Sequence, residues 1–262
     1  METPENRSKY AGVKYIESTN VEIDQDLRNW QELLESGYVL IFRSAVSRTQ
    51  LRHTVSSILR TPQPLSHDTR VVQGVGNIRY AVQHPGGDSS YSCSDESYYF
   101  FPWNHDPFGL YDLVQPAFLT VARLNGYDPT WLMAQEPKDG VVQRFHMICY
   151  PEGSGHISTH LDPVKVTSFT SGIYVTQYGR DYIDGGYYII DGDGCKVVID
   201  PMVQSGDMVV FPAHFAHGVD TVRCVDKESE DDLQFRGRIF VNMTVIESHE
   251  VADRTFTQPF RP

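Results

Sequence analysis

The chain has 262 residues, of which 40% are hydrophobic and 21% charged, and its formal net charge is -12 at pH 7. This length is enough for one large domain with a proper core, and all-β barrels and sandwiches often reach it as a single unit. A surface this acidic repels phosphate backbones and anionic lipid, so the composition disfavours nucleic-acid and membrane binding.

Cysteine use and the first residues indicate the compartment. The four cysteines lie far apart and form no CxxC pair, which predicts reduced thiols rather than a disulfide frame or a zinc site. The polar N-terminus lacks the apolar segment of a signal peptide. No stretch approaches the roughly 18 apolar residues of a membrane span. We therefore expect a soluble, cytoplasmic protein.

The first 140 residues predict helices with a few strands. The opening 20 residues are expected to form a loosely held arm. An amphipathic helix follows, with apolar residues on one face, and ends at Gly37 before a strand over 38–42. Ser47 is expected to cap a helix that runs to Arg60. Further on, the sequence predicts short strands over 78–82 and 98–101, and a helix over 110–125.

From Val141 onward the sequence changes to short β-prone runs separated by turn residues. The runs are 141–150, 165–178, 186–190, 196–199, 207–211 and 237–246. Many short strands after a helical half predict an α+β protein in which an antiparallel barrel or sandwich is supported by helices. We expect a single domain over 1–262, with support and lid elements in 1–140 and the β core in 141–249.

The chemistry is expected in the β half, at the sequence THLDP. Residues i and i+2 of a strand point to the same side, so His160 and Asp162 would present an imidazole and a carboxylate together. Two imidazoles and one carboxylate are the ligand set of non-haem Fe(II) oxygenases, which keeps three metal positions open. A third ligand must come from a distant strand, and His214 and His217 are the candidates.

Several motifs follow one another in the second half of the chain: ICYPEGSGHISTHLDP, SGIYVTQ with the later Gly185-Gly186 pair, IDPMVQSGDMVVFPAHFAHGVDTV and GRIFVNMTV. Their order resembles that of the prolyl-4-hydroxylase-like branch of the Fe(II)- and 2-oxoglutarate-dependent dioxygenases. Together the motifs cover about residues 141 to 246. The resemblance implies a double-stranded β-helix, also called a jelly roll, of two facing antiparallel sheets with the metal at one open end.

The resemblance also implies roles for individual residues. His160, Asp162 and His217 would hold Fe(II), with His214 as the rival to His217. Arg238 would bind the far carboxylate of 2-oxoglutarate, with Arg236 as its rival. The motif positions further imply that one tyrosine donates to the same carboxylate and another lies near the iron, Tyr174 and Tyr150 respectively.

The implied activity is hydroxylation of an unactivated C–H bond with O₂, releasing succinate and CO₂. The presence of Asp162 favours hydroxylation over halogenation, because the related halogenases lack this carboxylate; desaturation and ring formation stay open. Loops of the N-terminal half, over 74–82 and 97–106, are expected to cover the site. Candidate substrate-binding residues are Arg79, Arg144 and Trp103, the two arginines as partners of a substrate carboxylate.

Several alternatives stay open at this point. A small-molecule substrate such as an amino acid or natural-product intermediate is preferred, and a peptide or protein hydroxylase is the first alternative. A cupin-like protein that binds metal or a small molecule without turnover is the second. A Ca²⁺ loop at 191–194 is less favoured than a hairpin turn. A helical zinc pair at His156 and His160 is disfavoured by the neighbouring glycines.

Overall fold

The computed structural model describes residues 9–17, 23–61, 78–84, 91–103, 106–133, 140–224, 235–248 and 251–260, without the side chains of 23–25, 78–84 and 133. The helices in these residues are α1 (Ile23–Glu35), α2 (Arg48–Arg60), α3 (Leu110–Leu124) and α4 (Pro129–Met133). The strands are β1 (Gly12–Glu17), β2 (Tyr38–Arg43), β3 (Ile78–His84), β4 (Cys93–Phe100), β5 (Val141–Tyr150), β6 (His156–Leu161), β7 (Phe169–Tyr174), β8 (Tyr182–Ile190), β9 (Lys196–Val198), β10 (Met208–Pro212), β11 (His217–Cys224), β12 (Arg238–Glu247) and β13 (Gln258–Pro259).

The strands form one continuous curved sheet in the order β1-β2-β10-β7-β12-β5-β4-β6-β11-β8-β9. Two four-stranded antiparallel groups can be recognised in it, β10-β7-β12-β5 and β6-β11-β8-β9, and β4 connects them at one edge. Side chains of both groups line a common cavity. This arrangement confirms the α+β prediction and the double-stranded β-helix.

The helices cover the sheet that contains β2, β10, β7 and β12. Trp30 and Leu34 of α1 and Leu51 and Val55 of α2 are buried in the main apolar cluster, together with residues of α3 and β12. The helix boundaries agree with the sequence prediction to within about two residues. Gly37 follows α1 with φ +90°, a backbone conformation that glycine adopts without strain.

The structure corrects two sequence predictions, one for the N-terminal segment and one for the length of a strand. The loosely held arm contains β1, which pairs in parallel with β2 from Gly12↔Tyr38 to Glu17↔Arg43. This strand lies at the edge of the sheet, so its sequence alternates only weakly, and its partner comes from beyond α1. The predicted strand 165–178 is shortened at both ends to β7: residues 165–168 lie before the strand, and the chain turns after Tyr174. Residues 1–8 and 18–22 lie outside the described part.

The turn after β7 is held by a buried ion pair between Arg52 of α2 and Asp181. Nη1 and Nη2 of Arg52 donate to the two carboxylate oxygens of Asp181 at 2.9 and 2.8 Å. Arg52 also donates to the carbonyl of Val175, and Asp181 accepts from the backbone N–H of Gln177. Both charged residues are at most 2% exposed. This contact joins the helical layer to the barrel.

Within the described residues, no helix combines the length and apolarity that a membrane crossing requires. None of the four cysteines, all of which lie in the described residues, forms a disulfide bond.

Replacing Asp181 by Ala is expected to lower the free energy of unfolding by about 3–5 kcal/mol, because the Arg52 charge would stay buried without its partner. Urea denaturation followed by far-UV circular dichroism measures the change. Asp193→Ala removes the exposed pair with Lys9 and is the control, with no measurable effect expected. Equal midpoints for both variants would contradict the structural role of Asp181.

Candidate metal centre

The pairing of β6 with β11 brings the expected ligands together. His160 near the end of β6 lies directly opposite His217, the first residue of β11. Asp162 follows β6 immediately, two residues after His160, so its carboxylate turns to the same side. One potential ligand atom from each of the three residues lies within 4.8 Å of the others. Residues from two distant parts of the chain thus form one cluster.

The distances in the cluster suit a metal ion better than direct hydrogen bonds. Nε2 of His160 lies 3.7 Å from Oδ1 of Asp162, and Nε2 of His217 lies 3.6 Å from Oδ2. Both distances exceed the length of a hydrogen bond. The imidazole rings are 4.3 Å apart between centroids. Three ligands gathered on one side leave room for other groups on an ion bound between them.

The backbone selects the tautomer of both histidines. Nδ1 of His160 lies 2.9 Å from the carbonyl oxygen of Ser158, and Nδ1 of His217 lies 2.8 Å from that of Phe215. A carbonyl oxygen only accepts, so each Nδ1 carries the hydrogen and donates it. Nε2 then keeps its lone pair for a metal, in the arrangement that orients many metal-binding histidines.

Burial keeps the imidazole of His160 neutral. His160 is 6% exposed, and burial lowers the pKa of its imidazole to about 4, with the neighbouring His217 as the next cause. The lone pair of Nε2 is therefore available at neutral pH. The rival histidine, His214, is exposed on the turn before β11 and is not part of the cluster.

A cavity of about 200 Å³ opens at the three ligands and is called the metal cavity below. Its wall includes Tyr150 and Arg238 from the neighbouring strands β5 and β12, and Tyr187 from β8 of the other group. A second cavity of about 310 Å³, the adjoining cavity, shares Arg144 and Asp162 with it. The adjoining cavity is lined by the end of β12 and by residues 254–257 of the C-terminal segment.

Arg238 lies on the metal cavity, as the expected role in binding 2-oxoglutarate requires, but it also contacts an internal carboxylate. Its Nε and Nη2 donate to Oδ2 and Oδ1 of Asp200 at 2.7 and 3.2 Å. Burial alone would lower the pKa of the Arg238 guanidinium, but the Asp200 carboxylate raises it well above its ordinary value. The rival, Arg236, is exposed and binds Glu152.

The two expected tyrosines have different surroundings. Tyr150 is buried beside Arg238 on the wall of the metal cavity, and burial raises the pKa of its hydroxyl well above the ordinary value. Tyr174 does not line this cavity, and its hydroxyl donates to Oδ1 of Asp200 at 2.7 Å. Its part in binding 2-oxoglutarate stays a prediction.

Besides Nε of Arg144, two buried polar atoms on the metal cavity have no hydrogen-bond partner among the described residues. They are the hydroxyl of Tyr187 and the side-chain oxygen of Asn242. Burial raises the pKa of the Tyr187 hydroxyl well above its ordinary value, so this group remains a donor. Unpaired buried donors and acceptors are costly, and a bound ligand would satisfy them. These atoms make the cavity suitable for a polar, oxygen-rich molecule such as a keto acid.

Of the three expected substrate residues, Arg144 lies at the cavities, Trp103 does not, and the side chain of Arg79 is not described. Arg144 lines both cavities, its guanidinium carbon lies 5.1 Å from the ring centre of Tyr99, and its Nε is buried without a partner in the described structure. Trp103 stacks on Phe101 and lines neither cavity. Arg79 lies on β3 opposite Tyr98, and its side chain lies outside the described part.

The expected lid segments are only partly described. Tyr99 of the segment 97–106 lines the metal cavity, while positions 104, 105 and 74–77 lie outside the described residues. Sequence reasoning missed the C-terminal segment, which forms β13 beside β6, with Pro259 opposite His160. It also missed His146, which stacks on Tyr99 at 4.2 Å. The sequence signal that could have indicated His146 was its position on the predicted strand 141–150, two residues after Arg144.

Known protein families and curated proteins contain no match to this chain. Among solved structures, a prolyl-4-hydroxylase from Pseudomonas putida is similar, with 14% identity, a TM-score of 0.48 and coverage of 83% of this chain and 96% of that one. A 2OG-Fe(II) oxygenase family protein from Burkholderia pseudomallei has 15% identity, a TM-score of 0.47 and coverage of 92% and 98%. A full-length protein of Neurospora crassa, solved in complex with alpha-KG, has 14% identity, a TM-score of 0.47 and coverage of 91% and 86%.

His160→Ala or Asp162→Ala is expected to abolish stoichiometric Fe(II) binding, because each substitution removes one of three ligands. Anaerobic equilibrium dialysis followed by metal analysis measures the bound iron. His214→Ala is the matched control and is expected to bind iron like the wild type. Loss of iron in His214→Ala together with retention in Asp162→Ala would contradict the ligand assignment.

Proposed function

We propose that this protein is an Fe(II)- and 2-oxoglutarate-dependent oxygenase that hydroxylates an unactivated C–H bond of a small molecule. The observation that carries the proposal is the cluster of the buried His160 and His217 with the half-buried Asp162 on the wall of a cavity. Two imidazoles and one carboxylate are the ligand set of non-haem Fe(II) oxygenases.

When bound, the iron and its keto-acid co-substrate would supply the oxidation: 2-oxoglutarate and O₂ are converted to succinate and CO₂ as a C–H bond is hydroxylated. The chain supplies the surroundings for this chemistry. His160 and His217 present their Nε2 atoms because their Nδ1 hydrogens are bound to the backbone. The rings of Tyr187 and Phe211 pack beside His217 and shield it from water.

The cavity walls would hold the co-substrate and the substrate at different places. Arg238, Tyr150 and the unpaired hydroxyl of Tyr187 line the metal cavity and suit a keto acid. Arg144 lies where the two cavities meet and would bind an anionic group of the substrate. Asn242 lies on β12, two residues before Thr244, and Thr244 is paired with Arg144. The side-chain oxygen of Asn242 adds an acceptor that has no partner among the described residues.

The size of these spaces favours a small molecule over a peptide. The two cavities measure about 200 and 310 Å³, the first below and the second at the lower end of the range for small-molecule sites. The C-terminal segment borders the adjoining cavity through Thr255 and Phe256. Thr255 is fixed there because its hydroxyl and backbone N–H both donate to Glu247. An amino acid or another carboxylic acid of similar size is the substrate class that we propose.

Succinate release tests this function directly. The Fe(II)-loaded protein is incubated with 2-oxoglutarate and O₂ alone, then with free amino acids, and then with peptide libraries. We expect stimulation of succinate release by a small carboxylic acid, with a product heavier by one oxygen atom. Stimulation by peptides only would favour the peptide hydroxylase. Iron binding without any 2-oxoglutarate consumption would favour the non-catalytic metal-binding protein.

Arg144→Met is expected to raise the KM of the carboxylic-acid substrate at least about tenfold, because a charge-assisted hydrogen bond is lost. The KM of the corresponding carboxamide should change little. Initial rates of succinate release measure both values. Arg236→Met, which removes an exposed arginine away from both cavities, is the control and should match the wild type. An equal loss for acid and amide would contradict recognition of a carboxylate by Arg144.

A further inference from the structure

The carboxylate of Asp200 is already bound by both residues that the family resemblance assigns to the far carboxylate of 2-oxoglutarate. Arg238 binds it through Nε and Nη2, and Tyr174 donates to Oδ1. Tyr182 donates to Oδ2 at 2.6 Å. All four residues are at most 1% exposed. Asp200 therefore has a complete set of donors without any ligand.

The fold makes room for this carboxylate. Asp200 begins a short 3₁₀ helix, Asp200–Met202, between β9 and β10. A Cβ atom at Gly186 would lie 2.1 Å from Oδ2 of Asp200, and Gly186 has φ +98°, so both space and backbone require glycine there. The Gly185-Gly186 pair, which the motifs singled out, thus lies against Asp200. Residues of four separate parts of the chain, β7, β8, the 3₁₀ helix and β12, thus surround the Asp200 carboxylate.

Asp200 engages the arginine from the side away from the metal cavity. Arg238 lines that cavity, whereas Asp200, Tyr174 and Tyr182 do not. A guanidinium has five N–H donors, and the side-on contact through Nε and Nη2 uses two of them. The other donors of Arg238 stay available to a second acceptor. The arginine and Asp200 together carry no net charge.

The charge balance changes how the site recognises a keto acid. An arginine without a counter-ion in a buried site gains a large free energy from a ligand carboxylate, because the charge is otherwise uncompensated. Here Asp200 already compensates Arg238, and a second carboxylate would add a negative charge close to the first one. The far carboxylate is then attracted mainly by hydrogen bonds from Arg238 and from the hydroxyl of Tyr187, which has no partner among the described residues.

We propose that Asp200 determines co-substrate specificity: it neutralises Arg238 and so relaxes the requirement for a far carboxylate on the 2-oxo acid. The site then accepts monocarboxylic 2-oxo acids of similar length beside 2-oxoglutarate. Asp200 is a positioning and charge-balancing residue, because it acts through Arg238 and does not reach the cavity. This inference rests on the proposed function.

The test compares two ligands that differ only in the far carboxylate, 2-oxoglutarate and 2-oxopentanoate. Isothermal titration calorimetry of the Fe(II)-loaded protein without O₂ gives the Kd of each acid. In the wild type, 2-oxopentanoate is expected to bind less than about tenfold more weakly than 2-oxoglutarate. In Asp200→Asn, which keeps the shape but removes the charge, this ratio is expected to rise at least about tenfold, mainly through tighter binding of 2-oxoglutarate.

Asp181→Asn is the matched control, because Asp181 also pairs with a buried arginine but lies away from the cavity. Its ratio of Kd values should equal that of the wild type, so a general loss of stability cannot imitate the effect. A wild-type ratio above tenfold overturns the inference, and this measurement stands even if Asp200→Asn does not fold. An unchanged ratio in folded Asp200→Asn also overturns it.

The outcomes separate this inference from the proposed function. If both acids bind and the wild-type ratio is large, only the role of Asp200 fails. If neither acid binds to the protein loaded with Fe(II), the co-substrate assignment fails and the inference with it.

Discussion

The pairing of β6 with β11 is the constraint on which the metal centre depends. It places His160 opposite His217, and the alternation of side chains along β6 adds Asp162 two residues later. A shift of one residue in this pairing would move the ligands apart and turn one of them to the other side of the sheet. The register therefore determines whether the three residues meet at all. The remaining strands of the barrel hold these two in place and close the cavity around them.

A second constraint is the placement of charge in the barrel. The described structure buries two Arg–Asp pairs with bidentate contacts, Arg52 with Asp181 and Arg238 with Asp200. The first joins a helix to the turn after β7 and has a structural role. The second lies beside the metal cavity, where a charged pair also affects what the cavity binds. Similar chemistry thus serves packing in one place and recognition in the other.

The grouping of His160, Asp162 and His217 was predictable from sequence patterns, whereas the surroundings of these residues were not. His160 and Asp162 follow the period of a strand, and the family motifs selected His217 over an exposed neighbouring histidine. The edge strand β1 was missed because its stabilisation comes mainly from pairing with β2, and pairing of distant segments leaves little trace in local composition. Asp200 lies in the segment IDPM, which looks like an ordinary turn, and only the folded chain shows its contact with Arg238.

The most direct test of the metal centre is an anaerobic titration of the apo-protein with Fe(II) and then 2-oxoglutarate, followed by visible absorption. Chelation of the ion by the keto acid gives a weak metal-to-ligand charge-transfer band. We expect the band to appear with one equivalent of Fe(II) and to be absent in Asp162→Ala. Iron binding without the band, or a band of equal strength in Asp162→Ala, would contradict the assignment of this cluster as an oxygenase centre.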